Sequence, residues 1–173
     1  ANLSMGMAAS SAEEAREKTA ALADFHGRWN NGAGGRVLVD AGPHAVYTCV
    51  PDALEEIAAT AAELGCRVHI HLSETAEEVE EAKKRYGKSP IRIADDAGIF
   101  QSPTIAAHCV WVDEEDMAIL AERNAHVVHN PSSNLKLASG VAPTPRQLEL
   151  GINVALGTDG SASNNNLNMF EEM

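Results

Sequence analysis

Titratable side chains recur in this sequence at the ends of short apolar runs. The run "VHIHLSET" (68–75) carries two histidines two residues apart and a glutamate three residues after the second. A buried strand normally carries valine, isoleucine and leucine, and an unpartnered buried polar group costs about 1 to 3 kcal/mol. Other apolar runs are followed by His44, His108, His129 and Asp159. Imidazole and carboxylate groups bind zinc and transfer protons, so these positions are candidates for hydrolytic chemistry.

The apolar runs alternate with segments of helical periodicity. Five runs read as strands: "RVLVD", "RVHIHL", "TIAAHCV", "AHVVH" and "NVALGTD". Helices are predicted over 13–29, 51–64, 113–123 and 145–150, in "SPIRIADDAG", and after Thr75, where Glu78 completes a capping pattern. Near-continuous apolar strands between amphipathic helices are typical of a parallel sheet covered on both faces. The predicted class is therefore α/β.

Two α/β architectures fit this alternation. A doubly wound sheet predicts a glycine-rich phosphate turn after an early strand, and "AGPHAVYTC" is not one. A section of a (β/α) barrel instead predicts polar functional residues at the carboxyl ends of several strands. The positions of His44, His71, His108, His129 and Asp159 follow the second pattern.

The two histidines of "VHIHL" lie on the same face of their predicted strand, opposite Val68, Ile70 and Leu72. His71 is closer to the carboxyl end and to Glu74, so it is the candidate ligand. His69 lies one layer deeper, where structural support is the expected role.

Composition narrows the possible partners. The chain has 13 Lys and Arg against 25 Asp and Glu, a net charge of −12, which would repel a nucleic-acid polymer. No apolar run approaches the roughly 18 residues that argue for a membrane span, and the first residues lack a signal-peptide pattern. A cytoplasmic location is expected. Three widely spaced cysteines fit neither a disulfide framework nor a cysteine zinc site, so histidines and carboxylates would have to supply any metal site.

Four blocks together resemble a known family. "HIHLSET", "AAHCVW", "HNPSSNLKLASG" and "LGTDGSASNN", in this order, are similar to the amidohydrolase superfamily, and most closely to its 5′-methylthioadenosine/S-adenosylhomocysteine deaminases. The resemblance implies a (β/α)8 TIM barrel that binds one divalent metal, zinc or iron, with zinc expected. It implies a small purine nucleoside as substrate and hydrolytic release of ammonia from its adenine ring.

The same resemblance implies a role for each site residue. His71 and Asp159 would be metal ligands, and His108 would hydrogen-bond the activated water or the tetrahedral intermediate. Glu74 would carry a proton to the purine ring nitrogen, Asp159 would accept the proton of the water, and His44 would contact the substrate. A bound metal lowers the pKa of its water to about 7, which supports such chemistry near neutral pH.

The chain departs from the family pattern in two places. Val46 stands where the family usually has proline, and the His-x-His pair of the first barrel strand, which supplies two further ligands, has no counterpart. With five predicted strands, residues 1–173 are expected to be a partial barrel covering roughly strands four to eight, without the small β-sandwich of the family. Such a piece would be inactive alone and would need the rest of its barrel or a homo-oligomer.

Several alternatives remain open from the sequence. Other amidohydrolases, such as guanine or 8-oxoguanine deaminases and triazine chlorohydrolases, perform the same attack, and an inactive metal-free barrel fragment is a further possibility. The turn formers of 130–134 predict a loop whose side chains satisfy local backbone groups, or alternatively a segment in which His129 and Asn134 shape the mouth of the site. Cys109 is expected to be a small buried hydrophobic residue rather than a nucleophile.

Overall fold

The structure is a computed structural model that describes all residues from Ala1 to Met173. The strands are β1 (Asn2–Met7), β2 (Leu38–Pro43), β3 (Val68–Leu72), β4 (Thr104–His108), β5 (His126–His129) and β6 (Asn153–Leu156). The helices are α1 (Ala12–Trp29), α2 (Gly32–Gly35), α3 (Pro51–Leu64), α4 (Ala76–Tyr86), α5 (Pro90–Asp96), α6 (Glu114–Glu122), α7 (Pro131–Lys136), α8 (Thr144–Glu149) and α9 (Met169–Glu172), with one 3-10 turn at Ile99–Gln101. The strands form one sheet in the order β1-β2-β3-β4-β5-β6. No helix is both long and apolar enough to span a membrane.

The sheet has six strands, so the predicted count of five was wrong by one. The additional strand, β1, pairs in parallel with β2 from Asn2↔Leu38 to Met7↔Pro43. Periodicity missed it because β1 is mostly exposed, with only Met7 buried, and it therefore lacks the apolar alternation of a covered strand. A side chain at Gly42 would meet Ser4 Oγ at 2.5 Å and Met5 O at 2.8 Å, so glycine permits this close pairing.

The chain divides into two compact units, of which the first comprises residues 1–70 and 93–105. In this unit β2 pairs in parallel with β3 through Ala41↔Val68. Helix α3 begins with Pro51 and ends at Gly65 in a left-handed conformation, and it buries Leu54 and Ile57 completely. The bounds of this helix are those the sequence predicted, with proline at its start and a left-handed glycine after its end.

The second unit comprises residues 71–92 and 106–173. In it β5 pairs with β6 in parallel from His126↔Asn153 to His129↔Leu156. Its largest fully buried side chains are Leu72, Ile91, Leu120, His108 and Gln147. Two of these five are polar: His108 bonds Asn134, and Gln147 donates to the backbone carbonyl of Cys109.

Helix α4 has the predicted cap. The Thr75 hydroxyl accepts from the backbone N–H of Glu78, as expected. The carboxylate of Glu78 in turn accepts from the backbone N–H groups of Ser73 at 3.2 Å and Glu74 at 2.7 Å. Glu78 therefore fixes the turn that follows β3.

The segment 130–134 is not a loop, and that interpretation was wrong. Helix α7 begins at Pro131, which is favourable at the first helical position because it lacks an N–H. Ser133 and Asn134 are fully buried, so their side chains face the interior of the unit. Turn-forming residue types were misleading because their side chains bond to other elements rather than to the local backbone.

Candidate metal centre

Three side chains from separate elements converge in the second unit. His71 lies in β3, His108 ends β4 and Asp159 follows β6, and their donor atoms all lie within 4.8 Å of one another. The rings of His71 and His108 are 5.5 Å apart between centroids. The two predicted metal ligands, His71 and Asp159, therefore lie next to His108, the histidine that was predicted to hydrogen-bond the water.

The backbone at this centre adopts an unusual conformation. Ser73, His108 and Asp159 have φ angles of 51°, 71° and 60°, in the left-handed region that non-glycine residues rarely occupy. Such conformations cost roughly 1 to 3 kcal/mol each and cluster at functional sites. They turn the chain sharply where each strand ends, which directs the side chains of that turn toward the centre.

Asp159 is held in its ionised form by its neighbours. Its carboxylate accepts from the Ser133 hydroxyl at 2.7 Å and from the Gly160 N–H at 2.7 Å. Burial raises the pKa of Asp159, but these two hydrogen bonds, with smaller electrostatic contributions from the two histidines, outweigh that effect, so its pKa lies below the ordinary value. An ionised carboxylate is the form that binds a cation.

Glu74 lies beside the three converging residues. One carboxylate oxygen accepts from the Ser139 hydroxyl at 3.0 Å, and the other lies 3.7 Å from His108 Nε2. The Glu74 side chain is only 16% exposed, and its backbone N–H is bound by Glu78. The Ser139 hydroxyl therefore fixes the carboxylate at the edge of the centre, and its second oxygen lies beyond hydrogen-bond distance of His108.

The donor set fits a divalent metal of the zinc type. Imidazole nitrogens and a carboxylate oxygen are the usual ligands of zinc, and the low pKa of Asp159 supplies the negative charge. His71, His108 and Asp159 are the cluster that could hold it. Their roles as ligands or as hydrogen-bonding partners stay predictions.

Two other histidines of the sequence prediction, His44 and His69, are not part of the cluster of His71, His108 and Asp159. His44 follows β2 in the first unit, where it is exposed, packs edge-to-face with Tyr47 and bonds through Nδ1 to the Thr48 hydroxyl at 3.0 Å. Its predicted substrate contact stays a prediction. His69 is half-buried and alternates with buried neighbours along β3, as expected.

Two further predictions concern the second unit. His129 is half-buried, and burial lowers its pKa. Cys109 is fully buried, and burial raises the pKa of its thiol well above its ordinary value, which agrees with a small hydrophobic role.

Sequence reasoning missed the residues that support the centre. Ser133, Ser139 and Glu78 each bond a site residue or its backbone. Ser133 and Ser139 belong to "HNPSSNLKLASG", but nothing in the sequence shows which strand end each serine reaches. Glu78 was recognised only as a helix-capping residue.

The sheet and this donor set define an α/β protein with a candidate metal centre at its strand ends. The family model described as "Amidohydrolase family" matches residues 1–173, and the chain belongs to this family.

Curated relatives are about half identical to the chain. A 5-methylthioadenosine/S-adenosylhomocysteine deaminase of Caldanaerobacter subterraneus subsp. tengcongensis is 55% identical over 157 residues, 91% of this chain and 36% of the relative. One of the same name from Dictyoglomus thermophilum is 51% identical over 173 residues, 100% of this chain and 40% of the relative. A 5'-deoxyadenosine deaminase of Methanothermobacter thermautotrophicus is 48% identical over 160 residues, 92% of this chain and 36% of the relative. The chain thus spans about two-fifths of the length of these relatives.

Solved structures share the fold. An adenosine deaminase from Xanthomonas campestris with bound zinc has a TM-score of 0.87 and 35% identity, covering 98% of this chain and 39% of its own. A guanine deaminase from C. acetobutylicum with bound guanine has a TM-score of 0.84 and 25% identity, covering 92% of this chain and 40% of its own. The predicted fold class, part of an amidohydrolase α/β barrel with parallel strands, is confirmed.

Proposed function

We propose that the complete protein carrying this chain hydrolytically deaminates an adenine nucleoside thioether, 5′-methylthioadenosine or S-adenosylhomocysteine. The observation that carries the proposal is the placing of the Glu74 carboxylate beside the cluster of His71, His108 and Asp159. A proton donor next to a metal site is what deamination of a ring amidine requires. The names of the relatives about 50% identical to the chain support this substrate class.

His71 and Asp159 would hold the metal together with ligands from outside this chain, and zinc suits them best. When bound, the metal supplies Lewis-acid activation of a water molecule near neutral pH.

The side chains of this chain have separate tasks. Asp159 is ionised and can accept the proton that the attacking water loses. Glu74, fixed by Ser139, would donate a proton to the ring nitrogen next to the carbon under attack. His108 would orient the attacking water through Nε2, which lies on the Glu74 side of its ring. Asp159 would then pass its proton to the amine, which leaves as ammonia, and the new hydroxyl on that carbon would return a proton to Glu74 as the carbonyl forms.

The substrate is tested by kinetics on the complete protein. The panel is 5′-methylthioadenosine, S-adenosylhomocysteine, 5′-deoxyadenosine, guanine and a chlorotriazine. We expect the highest kcat/KM on one of the first two. Turnover of only guanine or the chlorotriazine would refute the proposal and favour another amidohydrolase activity.

We further propose that additional strands complete the barrel. In the sheet order β1 and β6 each have a single neighbouring strand, which leaves one backbone edge of each available for pairing. The chain also spans about two-fifths of its relatives. The 173 residues alone would then lack part of the ligand set and be inactive.

Sedimentation of the isolated chain tests this second proposal. We expect self-association or poor solubility, because exposed strand edges pair with other edges. A monomer that stays dispersed at high concentration and unfolds cooperatively would contradict it.

A further inference from the structure

His108 has a buried polar partner that the proposed chemistry does not use. Its Nδ1 atom lies 2.8 Å from Oδ1 of Asn134, on the far side of the ring from Glu74. His108 is 1% exposed and Asn134 is fully buried, so water does not compete for this contact. A buried carbonyl oxygen at this distance requires a proton on the nitrogen it faces.

Two amides compete for the same nitrogen, and they demand opposite protonation. Asn134 offers an acceptor oxygen, whereas Nδ2 of Asn130 is a donor that lies 3.4 Å from His108 Nδ1. Asn134 is at the ideal distance for an N–H···O bond, and Asn130 is near the outer limit. In this orientation Nδ2 of Asn134 lies 3.5 Å from Nδ1 of His129, a contact as long and weak as that of Asn130. Reversing the amide would place two donors against His108.

The backbone around Asn134 keeps this side chain in place. The N–H of Asn134 donates to Asn130 O at 2.9 Å, and its carbonyl accepts from Ser139 N at 2.8 Å. At the start of α7, the Ser132 N–H donates to the carboxylate of Glu172 at 3.0 Å. The backbone of Asn134 is thus hydrogen-bonded on both sides, which fixes the point from which its side chain reaches His108.

We propose that Asn134 is a positioning residue that fixes the Nδ1–H tautomer of His108. The Nε2 lone pair then faces Glu74 and the cluster with His71 and Asp159, where it acts as a hydrogen-bond acceptor toward the attacking water. An imidazole free to exchange tautomers would present an N–H there for part of the time. A partner that fixes the tautomer of a metal-ligating histidine typically contributes 10- to 100-fold to affinity or activity, and we expect an effect of that size for His108.

The test is ¹⁵N NMR of the full polypeptide carrying this sequence, labelled in its histidine rings. The spectra are recorded about two pH units above the ordinary histidine pKa of about 6.5, so that the rings are neutral. The His108 signals are identified by their loss in His108→Gln. We expect a protonated Nδ1 and an unprotonated Nε2. An Nε2–H tautomer, or a doubly protonated ring at that pH, would overturn the proposal.

Three variants distinguish a role of Asn134 in fixing the tautomer of His108 from a role in packing alone. In Asn134→Leu only the Asn130 donor remains beside Nδ1, so the tautomer should switch to Nε2–H. Asn134→Asp keeps the acceptor oxygen and should retain Nδ1–H, and Asn130→Ala removes the competing donor and should do the same. An unchanged tautomer in Asn134→Leu would refute the role of Asn134. Should that variant fail to fold, the wild-type and Asn134→Asp spectra still decide.

The effect on turnover rests on the proposed function, and it is measured separately. In the complete enzyme Asn134→Leu should lower kcat by 10- to 100-fold with KM nearly unchanged, because the substrate is bound but the water is poorly oriented. If Asn134→Leu changes the tautomer of His108 but keeps the wild-type kcat, the water-orienting role of His108 is wrong. The role of Asn134 in fixing the tautomer would still stand. Absence of any deaminase activity in the wild type would refute the proposed function and leave the tautomer result standing.

Discussion

Glu78 gives the stability of this protein a specific pH dependence. Burial raises its pKa from 4.5 to about 7, and the charge of Glu74 adds to this, while the hydrogen bonds from Glu74, Ser73 and Thr75 act in the opposite direction. Between these two values the folded chain holds a proton that the unfolded chain has released. Stability from this group is therefore complete below about pH 4.5 and is lost as the pH rises through about 7.

The size of the stability loss follows from the size of the pKa shift of Glu78. The full shift corresponds to about 3 kcal/mol, and about 2 kcal/mol of it falls between pH 5.5 and pH 8. That window lies above the isoelectric point of about 4.9, where the chain keeps a net negative charge. Glu78→Gln cannot ionise, so it should lack this part of the pH dependence, although it loses one acceptor for the Ser73 or Glu74 N–H at every pH.

Urea unfolding of the complete protein at pH 5.5 and pH 8 measures the difference. The free energy of unfolding of the wild type should fall by about 2 kcal/mol more than that of Glu78→Gln between the two pH values. Glu77→Gln is the matched control, because Glu77 is exposed in the same turn of α4 and should leave the wild-type dependence intact. If Glu78→Gln and the wild type lose stability equally, the buried-carboxyl argument is wrong.

Four further substitutions test the centre and the core. In the complete protein Glu74→Gln should retain its metal by elemental analysis yet lose about 10²- to 10⁴-fold in kcat, because proton transfer is removed; loss of the metal would contradict its role. Asp159→Asn should lose both metal and turnover, and full metal occupancy in that variant would contradict a ligand role. Ser133→Ala removes a hydrogen bond to a charged oxygen and should weaken metal binding by about 10-fold, seen in chelator competition, whereas unchanged affinity would mean the bond is dispensable. Leu54→Ala removes a fully buried side chain from α3 and should lower the free energy of unfolding in urea by about 2 to 5 kcal/mol. A smaller loss would mean that neighbouring side chains move into the cavity.

Local signals in the sequence were sufficient for most of the secondary structure. Helix α4 was predicted from the capping pattern of Thr75 and Glu78, and the structure has the Thr75 cap. Strand β3 was predicted from an apolar alternation that burial reproduces. Strand β1 could not be found in this way, because an edge strand with exposed side chains carries little periodic signal.

The candidate centre was predictable only in part. His71, His108 and Asp159 could be found because each ends an apolar run, and parallel strands bring such ends together. The contacts of Ser133 with Asp159 and of Asn134 with His108 span 26 residues each, and short-range patterns hold no information about them. The misassigned helix α7 shows the same limit, because tertiary partners rather than propensity fixed its conformation.

The left-handed backbone at His108 and Asp159 restricts how this site can be redesigned. A β-branched side chain is a severe steric misfit at such φ angles, whereas glycine and asparagine fit without difficulty. Saturation libraries at these two positions would therefore return many unfolded variants for reasons unrelated to chemistry. Substitutions aimed at new substrates are better placed at residues around the centre whose φ angles are negative, because those positions accept most side chains. Libraries that vary positions with ordinary φ angles should contain a larger fraction of folded variants than libraries that randomise the strand ends.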